Sequence, residues 1–350
     1  RETVIIGISK RTQIIVNLDK DKKMKLDIES ISKNYCKKHI LVIGDIILDE
    51  YVHGKVDRIS QEAPVPIVLV DHKEFKPGGA ANVALNLAGL GTRVTLMGIV
   101  GKDENHEHLR NCFKGHKKID YKVIESGSRL TTVKSRIIAD NRQIARLDNE
   151  VTDEISDKDE LVFIDNIFQN IKNIDGVIIQ DYNKGLLTPS LIKNIIDCAN
   201  DNKVPVYVDP KFHNYSSYKG VRLFKPNLVE FRAIAKEEQF GSLPKSGFHF
   251  QEYMNSEILL LTLGSSGMSL YHKGVHETIP TKARQVFDVS GAGDTVIATF
   301  AINDLCGLMP LESAIIANLA AGRVCEDVGV CPITLDSLID FFSHYYKLGQ

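Results

Sequence analysis

Residues 288–300 read DVSGAGDTVIATF, a Gly-Ala-Gly-Asp turn that runs straight into an apolar stretch of helical character. Glycines let a backbone bend sharply and come close to a ligand. The first turn of a helix presents unpaired N–H groups and a partial positive charge. Gly291, Ala292 and Gly293 therefore predict a cradle for an anion such as a phosphoryl group, with the Asp294 carboxylate beside it. A carboxylate there can take the proton of an attacking hydroxyl as a phosphorus–oxygen bond forms. Standing alone, Asp294 could instead cap the helix.

Other groups suit the same chemistry. PGGAANVALNLAGLG at 77–91 is a second glycine turn leading into a helix, with Gly78 and Gly79 at the bend. Its Asn82 could bind a sugar hydroxyl or cap the turn. Asp45 and Asp49 follow an apolar strand in GDIILDEY, where carboxylates can grip vicinal hydroxyls or simply supply loop polarity. Asp181 and Lys184 in QDYNKG, Asp209 and Lys211 in DPK, and Asn227 in KPNLVE also end predicted strands. Lys134 and Arg136 in TTVKSR, Arg142 and Arg146 in NRQIAR, and Lys184 are cations that could meet a phosphate carried by a substrate. Strand alternation puts Lys134 and Arg136 on one face, and the guanidinium fork suits phosphate. A solvated strand face explains the same residues without a ligand. Lys211 could point to either phosphate group.

These groups need a scaffold that brings strand ends together. HILVIGDIIL, RVTLMGIVG, GVIIQDYNKG, VPVYVDPK, VRLFKPN and EILLLTLG are apolar runs ending in polar loops, the pattern of buried parallel strands. GGAANVALNLAGLG, LTPSLIKNIIDCANDNK and NLVEFRAIAKEE read as helices between them. Strands alternating with helices predict a parallel sheet covered on both faces, with ligands beyond the carboxyl ends of the strands. Residues 51–76 and about 121–148 are β-rich with alternating charge and predict a small sheet over the site as a lid. Residues 1–39, with an apolar run at Val4–Ile8 and a charged cluster at Asp19–Lys25, read as a peripheral extension, and the main domain as 40–345.

Composition narrows the class. The chain of 350 residues carries a net charge of −2, which argues against binding nucleic acid through overall charge. It shows no membrane-spanning run and no secretory signal, so a cytoplasmic enzyme is expected. The 6 cysteines are scattered without a CxxC pair and read as free thiols in a reducing compartment. HEH at 106–108 has the wrong spacing for a helical zinc pair and reads as solvated surface. No GxxxxGK[ST], no GxGxxG after the first strand and no GxSxG occur.

GGAANVALNLAGLG and DVSGAGDTVIATF together resemble the two glycine motifs of the ribokinase-like sugar kinases, the PfkB family, over residues about 40–345. DPK at 209–211, KPNLVE at 225–230 and TLGSSG at 262–267 fit the same order. RISQEAPVPIV, QIARLDNE and QDYNKG resemble the bacterial D-glycero-β-D-manno-heptose-7-phosphate kinases within it. The resemblance implies a Rossmann-like three-layer α/β/α fold with a β lid that commonly forms a homodimer contact. It implies ATP and Mg2+ as cofactors, with K+ in some relatives.

By that resemblance Asp294 is the catalytic base and the N–H groups of Gly291, Ala292 and Gly293 form the anion hole. Asn227, Leu228, Val229 and Glu230 match the NxxE element that organises magnesium and the nucleotide phosphates, Glu230 acting on the metal indirectly. Thr262, Gly264 and Gly267 would lie along the nucleotide, and Asp288 and Ser290 would hold the monovalent cation. Asp45, Asp49, Gly78, Gly79, Asn82, Lys134, Arg136, Arg146, Asp181 and Lys184 are the expected sugar side, and Lys211 joins the nucleotide side. The reaction implied is phosphorylation of the anomeric hydroxyl of the heptose 7-phosphate, feeding ADP-heptose for lipopolysaccharide core. Partners would be small molecules, with neither nucleic acid nor membrane, and a separate adenylyltransferase in the same pathway. Many heptose kinases carry such a domain fused, marked by HxGH, which this sequence does not show. TLG at 262–264 departs from the TR of many heptose kinases, so one nucleotide-side contact differs. Another sugar or sugar-phosphate kinase, or a non-catalytic binder on the same scaffold, are the competing readings.

Overall fold

The computed structural model describes residues 13–19, 22–140, 142–235, 243–281 and 286–347. A nine-stranded sheet forms its centre. Seven strands run parallel, in the order β7 (Ile119–Ser126), β6 (Arg93–Gly101), β3 (His39–Gly44), β10 (Gly176–Gln180), β11 (Val206–Asp209), β12 (Leu223–Phe224) and β13 (Ile258–Thr262). An antiparallel pair, β14 (Met268–His272) and β15 (Val275–Ile279), completes one edge.

The unbroken apolar character of these strands has a simple cause: both faces are covered. Ile40, Val42, Val94, Leu96, Ile178 and Leu260 point into one core. Their neighbours Leu41, Ile43, Met97, Val177, Ile179 and Leu261 point into another. Helices 80–90, 292–305, 310–324 and 335–347 pack on the first face, and helices 157–170, 189–201, 228–235 and 243–254 on the second. This is the expected three-layer α/β/α arrangement. Helix 292–305 is buried on every side from Asp294 to Asn303, as a helix apolar all round requires.

A separate four-stranded sheet forms the lid, in the order β5 (Pro66–Gly79), β4 (Ile46–Ile59), β8 (Thr132–Ala139), β9 (Arg142–Asn149). Only Asp45 separates β3 from β4, so the lid grows directly out of the central sheet. Residues 121–126, expected in the lid, pair instead with β6 in the central sheet.

The domain also begins earlier than residue 40. A hairpin of β1 (Gln13–Asp19) and β2 (Lys22–Asp27) leads into the helix Ile28–Ser32. Leu26, Ile28 and Tyr35 are buried in the first core, and the Tyr35 hydroxyl donates to Asn303 Oδ1 at 2.7 Å. The Val4–Ile8 run lies outside the described residues. His106, expected at a solvated surface, is 1 % exposed, with Nδ1 3.2 Å from Glu125 Oε1. His108 stacks on Phe75. All 6 cysteines are free thiols. Among the described residues no helix is long and apolar enough to cross a membrane.

Candidate active site

The carboxyl ends of β3, β10 and β11 lie in one row, with Gly44 in register with Gln180 and Gln180 with Asp209. Side chains from this row meet the first turn of helix 292–305. Asp294 is 3 % exposed. Its Oδ2 accepts from Asn82 Nδ2 at 2.8 Å, and its Oδ1 from Gln180 Nε2 at 3.1 Å and the Tyr182 hydroxyl at 2.9 Å. The residue at the helix N-cap is Gly291, without a side-chain cap. Asp294 is therefore free of capping and committed to this cluster. Burial pushes its carboxyl up to about 7; the Asn82 hydrogen bond pulls it down, Asp209 adds to the rise, and the Tyr182 hydrogen bond and Lys225 pull it down.

Gln180 Nε2 also donates to Asp209 Oδ2 at 3.0 Å, and Asp209 Oδ1 pairs with Lys225 Nζ at 2.9 Å. Lys225 is only 2 % exposed, and a Cβ at Gly293 would stand 3.6 Å from its ammonium. A buried cation thus sits beside the glycine turn. Gly291 has φ +80°, and a Cβ there would come within 2.7 Å of Asn82 Nδ2, displacing the amide that holds Asp294. Among the described residues the N–H groups of Gly291 and Gly293 make no hydrogen bond. That of Ala292, expected in the anion hole, instead donates to the Val289 carbonyl at 3.2 Å. The Asp294 N–H likewise makes none among the described residues, so Gly291, Gly293 and Asp294 supply the open donors of this turn.

On the lid side, β8 pairs Lys134 with Asp49 and Asp148, and Arg136 with Tyr51 and Arg146. Directly paired residues share a sheet face, so the predicted cations stand together. Arg136 pairs with Asp49 at 2.5 Å, Arg146 with Asp148 at 2.9 Å and Lys184 with Glu150 at 2.6 Å. Lys134 has no ion-pair partner among the described residues; its ammonium lies 5.4 Å from the Tyr182 ring centroid. Burial, then the nearby Lys184, lowers the Lys134 pKa. Arg142 lies exposed at the far end of β9, away from this group. A Cβ at Gly78 would come within 2.2 Å of Asp49 Oδ2, and one at Gly79 within 2.4 Å of the Asp45 carbonyl. Gly79 is therefore needed for the lid root to close, whereas a side chain at Gly78 would have to push the Asp49 carboxylate aside.

Asp45 and Asp181, both expected on the sugar side, are 3 % and 2 % exposed. Asp45 Oδ2 accepts the N–H groups of Tyr182 and Lys184 at 2.7 and 3.1 Å. Asp181 accepts from the Asn183 N–H at 2.7 Å and the Tyr218 hydroxyl at 2.8 Å. Both brace the 181–184 loop. Burial raises both carboxyl pKa values, and for Asp45 the neighbouring Asp181 adds to the rise.

Among the residues expected on the nucleotide side, Asn227 and Glu230 cap one another: Glu230 Oε2 accepts from the Asn227 N–H at 2.9 Å, and Asn227 Oδ1 from the Glu230 N–H at 2.8 Å. Glu230 Oε1 pairs with Lys211, whose ammonium lies 5.2 Å from the Tyr182 ring centroid. Thr262 bridges to Asn227. Leu228 is half-buried and Val229 is 77 % exposed. Gly264 has φ +59° with open space around it, whereas a Cβ at Gly267 would meet the Ile279 carbonyl at 2.0 Å. Gly267 is thus required by its own hairpin. Asp288 Oδ1 accepts from the Ser290 N–H at 2.8 Å and Oδ2 from the Gly329 N–H at 3.1 Å.

Gln180, Tyr182 and Lys225 were not singled out by sequence. The signal for the first two lay in QDYNKG. Side chains alternate along an extended strand, so Gln180 and Tyr182 reach Asp294 while Asp181 between them turns away toward Tyr218. Lys225 had a fainter signal, an ammonium closing the short strand stretch VRLF.

A parallel sheet with a buried carboxylate against a glycine-led helix and a cation-bearing lid defines a sugar-kinase architecture. Residues 37–336 match the family described as pfkB family carbohydrate kinase, and the chain belongs to that family. It is a phosphotransferase with an alcohol group as acceptor. It is 39 % identical over 332 residues to "Bifunctional protein HldE" of Geobacter sulfurreducens, covering 93 % of this chain and 67 % of that protein. It is 37 % identical over 315 residues to "Bifunctional protein HldE" of Koribacter versatilis, covering 89 % of this chain and 65 % of that protein. The chain thus spans about two thirds of the length of these relatives. Among solved structures, Escherichia coli phosphofructokinase-2 in complex with substrates and products superposes with a TM-score of 0.74 at 15 % identity, covering 88 % of this chain and 98 % of that one. Arabidopsis thaliana ribokinase complexed with ribose and ATP gives 0.66 at 18 % identity, covering 87 % and 98 %. At such identities these structures speak for the fold.

Proposed function

We propose that the chain transfers the γ-phosphoryl group of ATP to the anomeric hydroxyl of D-glycero-β-D-manno-heptose 7-phosphate. The product is the 1,7-bisphosphate, a cytoplasmic step toward ADP-heptose for lipopolysaccharide core. The observation that carries the choice of a phosphorylated sugar is Lys134, an ammonium without an ion-pair partner among the described residues, standing across Tyr182 from Asp294. A substrate that brings its own phosphate supplies the missing anion, and Arg136, Arg146 and Lys184 add charge around it. The similarity to the HldE proteins supports the same pathway.

In this reading Asp294 takes the anomeric proton while that oxygen bonds to phosphorus and the bond to ADP breaks. The free N–H groups of Gly291 and Gly293, with Lys225 behind them, hold the developing negative charge. Asn82 and Asp49 lie on the sugar side. Lys211, Asn227, Glu230, Thr262 and Gly264 lie toward ATP. Both Glu230 oxygens already accept from Lys211 and Asn227, so the site suits Mg2+ organised through water. When bound, the ion neutralises charge on ATP oxygens. Both Asp288 oxygens accept backbone N–H groups. Each oxygen keeps a second lone-pair direction, so Asp288, with Ser290 beside it, would still fit K+, and no step runs through that ion.

The lid leaves Ile59, Leu69, Val70 and Leu147 exposed, apolar surface that a homodimer through the lid would cover; a monomer by light scattering would reject it. We propose that an adenylyltransferase completes the pathway. The function is tested by ADP release with Mg-ATP across heptose 7-phosphate, unphosphorylated heptose, ribose and fructose 1-phosphate. Heptose 7-phosphate should exceed the others about tenfold or more in kcat/KM, the scale of a lost charged contact. Preference for an unphosphorylated sugar would overturn the phosphate handle, and no ADP release with any sugar would overturn the kinase.

A further inference from the structure

We propose that Tyr182 is a positioning residue for this reaction: its hydroxyl, with the Gln180 amide, saturates Oδ1 of Asp294 and leaves Oδ2 as the oxygen that receives the substrate's proton. The inference rests on the kinase reading above. Oδ1 carries two donors, at 2.9 and 3.1 Å, whereas Oδ2 carries Asn82 alone. A carboxylate oxygen has two lone-pair directions, so the unfilled one lies on Oδ2. Tyr182 is itself fixed at both ends. Its N–H donates to Asp45 Oδ2 at 2.7 Å, and the ammonium groups of Lys134 and Lys211 lie 5.4 and 5.2 Å from its ring centroid. The residue that orients the base thus also touches a cation from the sugar side and one from the nucleotide side.

The hydroxyl can only donate here. Burial, then Asp294 and Asp209, hold the phenol well above its ordinary pKa. A donor to the ionised form of a carboxylate favours that form, and Tyr182 accordingly draws Asp294 downward against its burial. The charged groups facing Asp294 are Asp209 and Lys225, and those facing Tyr182 are Lys134, Lys211, Asp49 and Asp209.

The test is Tyr182→Phe, which keeps the ring and removes the donor. The acid limb of kcat/KM against pH should move up by about 1 pH unit, the scale of one hydrogen bond to a charged group. KM for ATP should stay within about twofold. The Asp294 carboxyl, followed by carbon-13 NMR in the free protein, should titrate higher by the same amount, with thermal unfolding confirming a folded variant. That titration needs no substrate. An unmoved Asp294 titration therefore overturns the role of Tyr182 and leaves the kinase reading to the ADP assay. A lower kcat with an unmoved acid limb would make Tyr182 merely structural.

Discussion

Asp294→Asn should destroy activity, and the stability of the variant relative to the parent protein should grow with pH. The Asp294 carboxyl rises from 3.8 to about 7 on folding, with burial as the chief cause. A group whose folded pKa lies above its unfolded value contributes stability that is complete below the unfolded pKa. That contribution is lost as pH rises through the folded one. A shift of about 3 units corresponds to about 4 kcal/mol, and the group is too buried for solvent to screen it away. At about pH 5.5 roughly half of this has gone, and by about pH 8.5 nearly all. Asparagine cannot ionise, so its variant is spared the loss. Its amide would face the Asn82 donor, a mismatch worth about 1–3 kcal/mol at every pH. The pH dependence therefore isolates the ionisation. Urea unfolding of both proteins at about pH 5.5 and about pH 8.5 should show the difference in unfolding free energy moving by about 2 kcal/mol in favour of asparagine at the higher pH. Turnover should fall about 10²–10⁴-fold, the range for a general base. A stability difference that stays constant over that interval would refute a buried, ionisable Asp294 and the reasoning built on it.

Arg136→Ala should raise KM for the sugar phosphate by about tenfold or more while KM for ATP stays within about twofold. Equal effects in steady-state kinetics would count against a phosphate role for the lid. Gly291→Ala forces a side chain onto a backbone at φ +80° and against Asn82. It should cost about 1–2 kcal/mol in thermal or urea unfolding and nearly all turnover; an active variant would show that the cradle tolerates displacement. Tyr35→Phe strips the donor from buried Asn303 and should cost about 1–3 kcal/mol. No change in the urea midpoint would mean that the segment before residue 40 is peripheral after all.

The layers were legible because periodicity reports burial directly. HILVIG could be read as a two-sided strand since Ile40 and Leu41 enter opposite cores. The glycine stop at Gly91, φ +104°, was readable because only a residue without Cβ takes that geometry easily. The edges were harder. Residues 119–126 alternate in polarity as an edge strand with one covered face does, and a lid strand has the same pattern; only the partner differs. The N-terminal segment was misjudged because its anchors, Leu26, Ile28 and Tyr35, stand among lysines in sequence and act through residues as distant as Asn303. Within the site, Asp294 was readable from the glycines beside it. Its partners Gln180, Tyr182 and Lys225 come from other strands, and sequence spacing carries no record of which strand ends adjoin.

The polar cluster under the glycine turn runs Asn82, Asp294, Tyr182, Gln180, Asp209, Lys225 at the carboxyl ends of the strands. Apolar side chains would fill that volume more cheaply, since buried ionic groups rarely repay their desolvation. What the cluster provides is basicity. An exposed aspartate near its ordinary value of 3.8 is ionised at neutral pH but holds an incoming proton weakly. Raised to about 7, the same carboxylate binds the proton about a thousandfold more tightly while remaining substantially ionised at neutral pH. Burial by itself would overshoot and leave the group protonated and idle. The donors on both oxygens and the Lys225 ammonium bring the ionised form back within reach. The low dielectric and the hydrogen-bond donors are therefore one device, and removing either should move the base away from neutrality in opposite directions.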